Sequence, residues 1–214
     1  MEGSNPSSVN VINSAPMANF NTLSVIRYEK LSKIGEGTYG TVYRARDKIT
    51  NKIVALKRIR QLAEKSGSGF PLTSIREIKL LKQLTHPNIV ELYNISVGRK
   101  VDSVFLVFEY CIHDFARLID EKVYTFNETE IKRILYDLLS ATDYLHKNFI
   151  FHRDLKLSNL LINERGQLKL ADFGLGRLFS SPLHNYTPRV VTLWYRSPEL
   201  LLNENKYHSA VDIW

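Results

Sequence analysis

The run Phe151-His152-Arg153-Asp154-Leu155-Lys156-Leu157-Ser158-Asn159 gathers a carboxylate, an ammonium and a carboxamide within a few residues. Asp154 could accept a hydroxyl proton and orient the attacking oxygen. Lys156, two residues on, could neutralise charge on a group in flight. Asn159, five residues after Asp154, offers an amide oxygen to a hard cation. Eighteen residues after Asp154 stands Asp172-Phe173-Gly174, where Asp172 is a second oxygen ligand of the kind Mg²⁺ prefers. A lone Asp carries no such message. The set at this spacing describes transfer of a phosphoryl group to a hydroxyl.

Two earlier runs would hold the phosphates. Gly35-Glu36-Gly37-Thr38-Tyr39-Gly40 fits G-x-G-x-x-G, a spacing shared with dinucleotide-binding proteins. In those the third glycine opens a helix. Here Gly40 leads into Thr41-Val42-Tyr43, a β-branched and aromatic run that reads as strand. The glycines then sit at a hairpin tip, where missing side chains let backbone amides approach phosphate oxygens. A purely structural hairpin carries the same pattern, so the loop gains its meaning from its company. Val54-Ala55-Leu56-Lys57 follows on a strand, and Glu77 stands twenty residues later within Ile75-Arg76-Glu77-Ile78. A helix carboxylate can pair with the lysine and aim its ammonium at phosphates.

The elements that must position these groups fall into two halves. Strands are expected at Tyr28–Ile34, Thr41–Arg46, Lys52–Arg60, Val90–Val97 and Ser103–Glu109, with a helix at Leu72–Leu84 that ends before His86-Pro87. The second half is helical. Asn127-Glu128-Thr129-Glu130 has the form of a helix start with a capping box. Ile131, Ile134, Leu135, Leu138 and Leu145 follow on one face, which is expected to pack on the core. A hairpin is expected at Leu160–Ile162 and Leu168–Leu170, turning at Glu164-Arg165-Gly166. The order predicts an α+β protein of two lobes, residues 25–111 and 112–214, with a hinge from Cys111 to Asp114. Residues 1–24, rich in Ser, Asn and Pro, are expected to form a disordered tail.

Composition narrows the function classes. With 214 residues, 44% hydrophobic and 24% charged, the chain has the balance of a soluble globular protein. It contains no run of eighteen apolar residues and no secretory signal, so no membrane association is expected. Net charge is 29 − 22 = +7, but the basic residues are scattered, and no direct nucleic-acid contact is expected. The single cysteine, Cys111, cannot close an internal disulfide, which suits a reducing compartment, nucleus or cytoplasm.

Glycine loop, strand lysine, helix glutamate, His-Arg-Asp and Asp-Phe-Gly occur in the order found in protein kinases, and residues 28–214 resemble that family. The resemblance implies a bilobal kinase fold, a β-rich upper lobe and a helical lower lobe, with ATP and Mg²⁺ between them. Pro71-Leu72-Thr73-Ser74-Ile75-Arg76-Glu77-Ile78 resembles the cyclin-binding helix of the cyclin-dependent kinases. Val190-Val191-Thr192-Leu193-Trp194-Tyr195-Arg196 resembles their activation segment. Within that family Pro-Leu-Thr-Ser-Ile-Arg-Glu is similar to the PITSLRE and PISSLRE kinases, the tenth and eleventh types, with Tyr43–Asp47 and Thr187-Pro188-Arg189 in agreement; the two branches are not separated.

The same resemblance assigns roles. Phe108 would be the gatekeeper, Glu109 to Cys111 would bond adenine through the backbone, Asp114 would also bind the cofactor, and Ile34, Val42, Ala55 and Leu161 would wall the base. Thr192 would bridge Asp154 and Lys156. Thr187 would carry an activating phosphate gripped by Arg76, Arg153 and Arg177, while phosphate on Thr38 or Tyr39 would inhibit. A cyclin would press on the Leu72–Leu84 helix, and substrates would carry Ser or Thr before Pro. Gly176 and Ser197 stand where the family usually has alanine, and both are expected to be tolerated. Val211-Asp212-Ile213-Trp214 resembles the start of the lower lobe's central helix, with Asp212 bonded to the catalytic loop. The lower lobe is therefore expected to be incomplete in this chain, and an arginine partner of Glu199 would lie beyond Trp214. That leaves an alternative beside the enzyme: an impaired kinase that binds cyclin or nucleotide without turnover.

Overall fold

The computed structural model describes residues 23–37, 40–59, 72–98, 103–179, 185–187 and 190–214. Its upper part is a six-stranded sheet of order β1-β5-β6-β4-β3-β2. These strands are β1 (Leu23–Ser24), β2 (Tyr28–Gly37), β3 (Gly40–Asp47), β4 (Ile53–Ile59), β5 (Leu92–Val97) and β6 (Val104–Glu109). All neighbours run antiparallel except β1, which lies parallel to β5. The last two residues of the expected tail are thus part of the sheet; residues 1–22 lie outside the described residues.

Alternation along β4 decides which groups face the cleft. Val54 and Leu56 are buried with Tyr28, Ala45, Phe105 and Val107 on the outer side of the sheet. Ala55 and Lys57, at the intervening positions, turn to the opposite face. Strand β6 is buried on both faces: Phe105 and Val107 join that outer cluster, and Leu106 and Phe108 join the main core. Helix α1 (Leu72–Gln83) lays Leu80 and Leu81 on this core, followed by Leu84.

The lower part contains α2 (Phe115–Asp120), α3 (Glu128–Lys147) and α4 (Pro198–Leu201), with short strands β7 (His113–Asp114), β8 (Ile150–Phe151), β9 (Leu160–Ile162), β10 (Leu168–Leu170) and β11 (Arg177–Leu178). The capping box of α3 is present: Glu130 N–H donates to Asn127 Oδ1 at 3.0 Å, and Asn127 N–H donates to Glu130 Oε2 at 2.9 Å. The β9–β10 hairpin has the expected register, Ile162 opposite Leu168. The apolar stripe of α3 divides differently from expectation. Ala141 and Leu145 are buried, with Ile134 and Leu138 packed against the same core, but Ile131 is 46% and Leu135 50% exposed. The helix meets the core along the Ile134–Leu138–Ala141–Leu145 line. Ile131 and Leu135 lie on the next face round and stay about half exposed.

The connection between the parts is shorter than the expected hinge. His113 and Asp114 already pair with β9, and Asp114 caps α2 by accepting the Arg117 N–H at 2.8 Å. Only Tyr110, Cys111 and Ile112 lie between the two sheets. Behind them Lys169 Nζ meets Glu109 Oε2 at 2.8 Å, a link from β10 to the end of β6.

Candidate active site

Between the two parts lies a cavity of about 480 Å³. Ile34, Val42, Ala55 and Leu161 wall it, Phe108 to Asp114 form its back edge, and Lys57, Asn159 and Asp172 stand at its inner end. The strand pairing explains the arrangement: β4 sits between β3 and β6, so Val42 lies opposite Lys57 and Ala55 opposite Phe108. Of the glycine loop, Gly35 lines the cavity, and a Cβ there would make ordinary van der Waals contact with Val42 Cβ at 3.8 Å. Gly40 has φ 149°, a conformation that L side chains rarely adopt. Glu36 pairs with Lys33; Thr38 and Tyr39 lie outside the described residues. Cys111 sits at the cavity edge, and burial pushes its thiol up to about 12.

At the inner end Lys57 Nζ donates to Asp172 Oδ1 at 3.0 Å. Burial alone would raise the Asp172 carboxyl, but the Lys57 ammonium reverses this and holds it below its ordinary range. The Glu77 and Arg76 side chains, and with them the expected Lys57–Glu77 pair, lie outside the described residues. Lys57 nevertheless bridges the sheet to the segment bearing Asp172, across 115 positions of sequence.

Asp154 is the centre of a second network. Its Oδ2 accepts Lys156 Nζ at 2.8 Å and Asn159 Nδ2 at 3.0 Å, and its Oδ1 accepts the Thr192 hydroxyl at 3.1 Å. Lys156 Nζ also donates to Thr192 Oγ1 at 3.2 Å, so the bridge expected of Thr192 is formed. Asn159 Nδ2 further donates to the Asp154 carbonyl at 2.8 Å. With its amide nitrogen spent twice on Asp154, Asn159 keeps Oδ1 as an acceptor for a cation. Asn159 and Asp172 make a set of two hard oxygens, which fits a Mg²⁺ ion that takes its other ligands from phosphates and water. Among the described residues no cluster of three or more His, Cys, Asp or Glu could hold a metal without them.

The loop holding Asp154 is set by its backbone. Arg153 and Asp172 have φ of 65° and 64°, uncommon for residues with a Cβ. Asp212 secures the first of these: its Oδ2 accepts the His152 N–H at 2.9 Å and its Oδ1 the Arg153 N–H at 2.7 Å. The His152 ring joins Asp154 to the Asp172 segment. Its Nε2 donates to the Ala171 carbonyl at 3.0 Å, its Nδ1 faces the Asp154 N–H at 3.3 Å, and it lies edge-on to Phe173. That pattern requires a neutral ring, and burial pushes its pKa down.

Sequence reading missed several of these supports. His146, near the end of α3, donates to Asp212 Oδ2 at 3.0 Å. Tyr207, 2% exposed, receives Arg153 Nη1 at 2.9 Å and donates its hydroxyl to the Thr187 carbonyl at 3.0 Å. Nothing in the spacing of a lone His or Tyr marks such roles. Arg153 is therefore engaged by Tyr207 and by the Leu175 carbonyl at 2.8 Å. It reaches Thr187 only through the Tyr207 hydroxyl. Of the other two arginines expected to grip Thr187, Arg177 lies on β11 opposite Phe151, and the Arg76 side chain is outside the described residues. Gly176 is also tighter than expected. A Cβ there would meet the Phe173 carbonyl at 3.0 Å and Leu80 Cδ1 at 3.1 Å. Ser197, at the N-cap of α4, is 1% exposed.

A two-part molecule with this cleft and this pairing of Lys57, Asp154, Asn159 and Asp172 has the architecture of a protein kinase, and residues 28–214 match the protein kinase domain family. The chain belongs to that family. Its similarity within the family runs to cyclin-dependent kinases, in agreement with the motifs of α1 and the activation segment. It is 54% identical over 191 residues to the probable cyclin-dependent kinase 10 of Dictyostelium discoideum, covering 89% of this chain and 52% of that protein. It is 52% identical to cyclin-dependent kinase 10 of Homo sapiens with the same coverage, and 51% identical to cyclin-dependent kinase G-2 of Oryza sativa subsp. japonica, covering 89% of this chain and 27% of the relative. The chain spans about half the length of the cyclin-dependent kinase 10 relatives it matches.

Proposed function

We propose that this chain carries the active site of a cyclin-dependent-type protein serine/threonine kinase, which transfers the γ-phosphoryl group of ATP to a protein hydroxyl. The observation that carries this reading is the Asp154 network. One carboxylate is held by Lys156, Asn159 and Thr192, beside a cavity whose inner end carries Lys57 and Asp172. In this reading Asp154 receives the acceptor's hydroxyl proton, Lys156 offsets charge on the transferring group, and Lys57 orients the phosphates. Asn159 Oδ1 and Asp172 would hold Mg²⁺, which supplies neutralisation of phosphate charge. Adenine would lie between Ile34, Val42, Ala55 and Leu161. Replacing Asp154 with Asn in the full chain should cut turnover on a Ser-Pro peptide by about 10²-fold or more, as loss of a positioned base does. Near-normal turnover would remove Asp154 from the mechanism.

Val191 and Arg196 support a reading of the substrate class. Val191 has φ 65°, strained for a β-branched residue, and Arg196 Nη2 donates to its carbonyl at 3.0 Å while Nε donates to the Val190 carbonyl at 3.0 Å. With that carbonyl occupied, a substrate N–H docked against it finds no acceptor. An unpaired buried N–H costs about 1–3 kcal/mol, and proline has none to leave unpaired. Substrates thus carry Ser or Thr followed by Pro. A peptide panel with no preference for proline there would contradict this. A cyclin acting on α1, and a phosphate on Thr187, complete the proposed control. Full activity from an unphosphorylated, partner-free chain would refute that control.

A further inference from the structure

Behind the cavity the upper and lower parts meet at two adjacent residues of β10. At the first, Leu170 N–H donates to the Asn88 carbonyl at 2.8 Å, and Val90 N–H donates to the Leu170 carbonyl at 2.9 Å. Both bonds are made by one residue, so they fix a point of contact and leave the angle about it open. At the second, Lys169 brings Nζ to 2.8 Å from Glu109 Oε2, at the end of β6. The two side chains are only 11% and 16% exposed. Oε2 is shut off from solvent and accepts no aligned hydrogen bond, so the Lys169 ammonium is what compensates its charge among the described residues. This second contact closes a ring. From Glu109 the chain runs through Tyr110, Cys111 and Ile112 into β7, which pairs with β9, which pairs with β10.

We infer that Lys169 is a positioning residue for the nucleotide, acting through Glu109 to fix the angle between the two parts at which the cavity fits ATP. This rests on the kinase reading above. The groups that must face one bound nucleotide stand on the two strands that the pair joins. Glu109 is on the back edge of the cavity. Lys169 lies opposite Leu161, a cavity wall, and Asp172 follows three residues after Lys169. Without the pair, the three-residue connection and the Leu170 contact are left to hold the angle, and the arrangement seen here becomes one of several. ATP then binds the fraction of molecules that hold this arrangement, and its apparent affinity falls by that fraction. The chemical step in a loaded cleft is unaffected, because the Asp154 network of Lys156, Asn159 and Thr192 does not include Lys169.

The test uses the full chain recovered from its own cells with its native partner, as wild type, Lys169→Met, Lys169→Arg and the double variant Lys169→Met/Glu109→Gln. KM for ATP, kcat on a Ser-Pro peptide and Tm are measured for each. Lys169→Met should raise KM for ATP about tenfold, as when the arrangement falls to a tenth of the population, and leave kcat at saturating ATP within about threefold. It should also lower Tm, since the Glu109 carboxylate is left buried and unpaired. Lys169→Arg keeps a cation of similar reach and should hold KM near wild type. The double variant removes the stranded charge but not the missing link, so Tm should recover while KM stays raised. A pair that served stability alone would not separate the two. An unchanged KM in Lys169→Met overturns the inference, as does a rise of equal size in Lys169→Arg. A KM that returns to wild type together with Tm in the double variant overturns it too, and this variant decides the matter if Lys169→Met does not fold. No peptide phosphorylation by wild type overturns the kinase reading and the inference with it.

Discussion

Replacing Asp212 with Asn tests how the catalytic loop is held. The carboxylate side chain is 1% exposed and accepts three hydrogen bonds, from His152 N–H at 2.9 Å, Arg153 N–H at 2.7 Å and His146 Nε2 at 3.0 Å. An asparagine keeps the shape but has one acceptor oxygen. If Oδ1 takes the Arg153 N–H, the new amide nitrogen faces the His152 N–H, donor against donor. That loses a hydrogen bond to a charged group, worth about 1.5–3 kcal/mol, and leaves a buried N–H unmade, which costs about 1–3 kcal/mol. A total near 3 kcal/mol lowers Tm by roughly 6–12 °C in a domain of this size. The loss lands on Arg153, whose φ of 65° is the position that needs holding, and Asp154 is the next residue. A 1 Å displacement of Asp154 costs about 10²-fold in kcat. The cleft walls come from other elements, so KM for ATP changes little. The assay is thermal unfolding of the full chain together with kcat and KM on a Ser-Pro peptide. If kcat stays within about threefold of wild type, far from the factor that misplacement brings, Asp212 does not set the loop and the reasoning fails.

The other predictions are smaller. His146→Ala removes one of the three donors to Asp212 but leaves both backbone bonds, so it should lower kcat less than Asp212→Asn; an equal or larger loss would show that His146 acts by another route. Gly176→Ala forces Leu80 or the Phe173 carbonyl to yield, at about 1–3 kcal/mol, against a gain of about 0.4–1 kcal/mol from a stiffer unfolded chain, so Tm should fall; a raised Tm would refute the crowding. His86 accepts the Asn88 N–H at its Nδ1, and its pKa is lowered, first by burial and then by Lys169. The unfolded chain therefore binds the proton first as pH falls through 6.5, and stability should drop in that window; His86→Asn, which does not titrate, should flatten the Tm profile there, and an unchanged slope would clear His86 of the effect. With its thiol at about 12, Cys111 should resist iodoacetamide at neutral pH in the folded chain and react on unfolding; equal rates in both states would contradict the burial.

Much of this was legible in the sequence, for a physical reason. Groups whose chemistry depends on residue type and close spacing, such as Asp154, Lys156 and Asn159, are fixed by one short loop, so the spacing nearly determines the geometry. The β9–β10 hairpin and the α3 capping box are local in the same sense, and both appear as expected. The errors occur where tertiary packing decides. Ile131 and Leu135 fit the apolar period of α3, but one helix face meets the core and they lie beside it. Leu23 and Ser24 sit in a polar run, yet they lie parallel to β5 at the edge of the sheet. His146, Tyr207 and the Lys169–Glu109 pair join residues 66, 54 and 60 positions apart in a pattern that composition does not mark.

Those long-range contacts set the starting state for the control proposed at Thr187. Arg153 is held by Asp212 at its N–H, by the Leu175 carbonyl at Nε and by Tyr207 at Nη1, so its main chain and its guanidinium are both committed before any phosphate arrives. In the control proposed above, a phosphate on Thr187 would meet an arginine already satisfied by a neutral hydroxyl. The phosphate carries about −1.5 to −2 charges and three strong acceptors, whereas the Tyr207 oxygen offers one neutral acceptor. In the proposed control that difference would favour the phosphate as partner of Arg153 and would release the Tyr207 hydroxyl, which now also pins the Thr187 carbonyl. Asp212 keeps the Arg153 backbone fixed while the side chain changes partner. In the proposed control Asp154 would thus keep its position, and the change would fall on the segment around Val191 and Arg196.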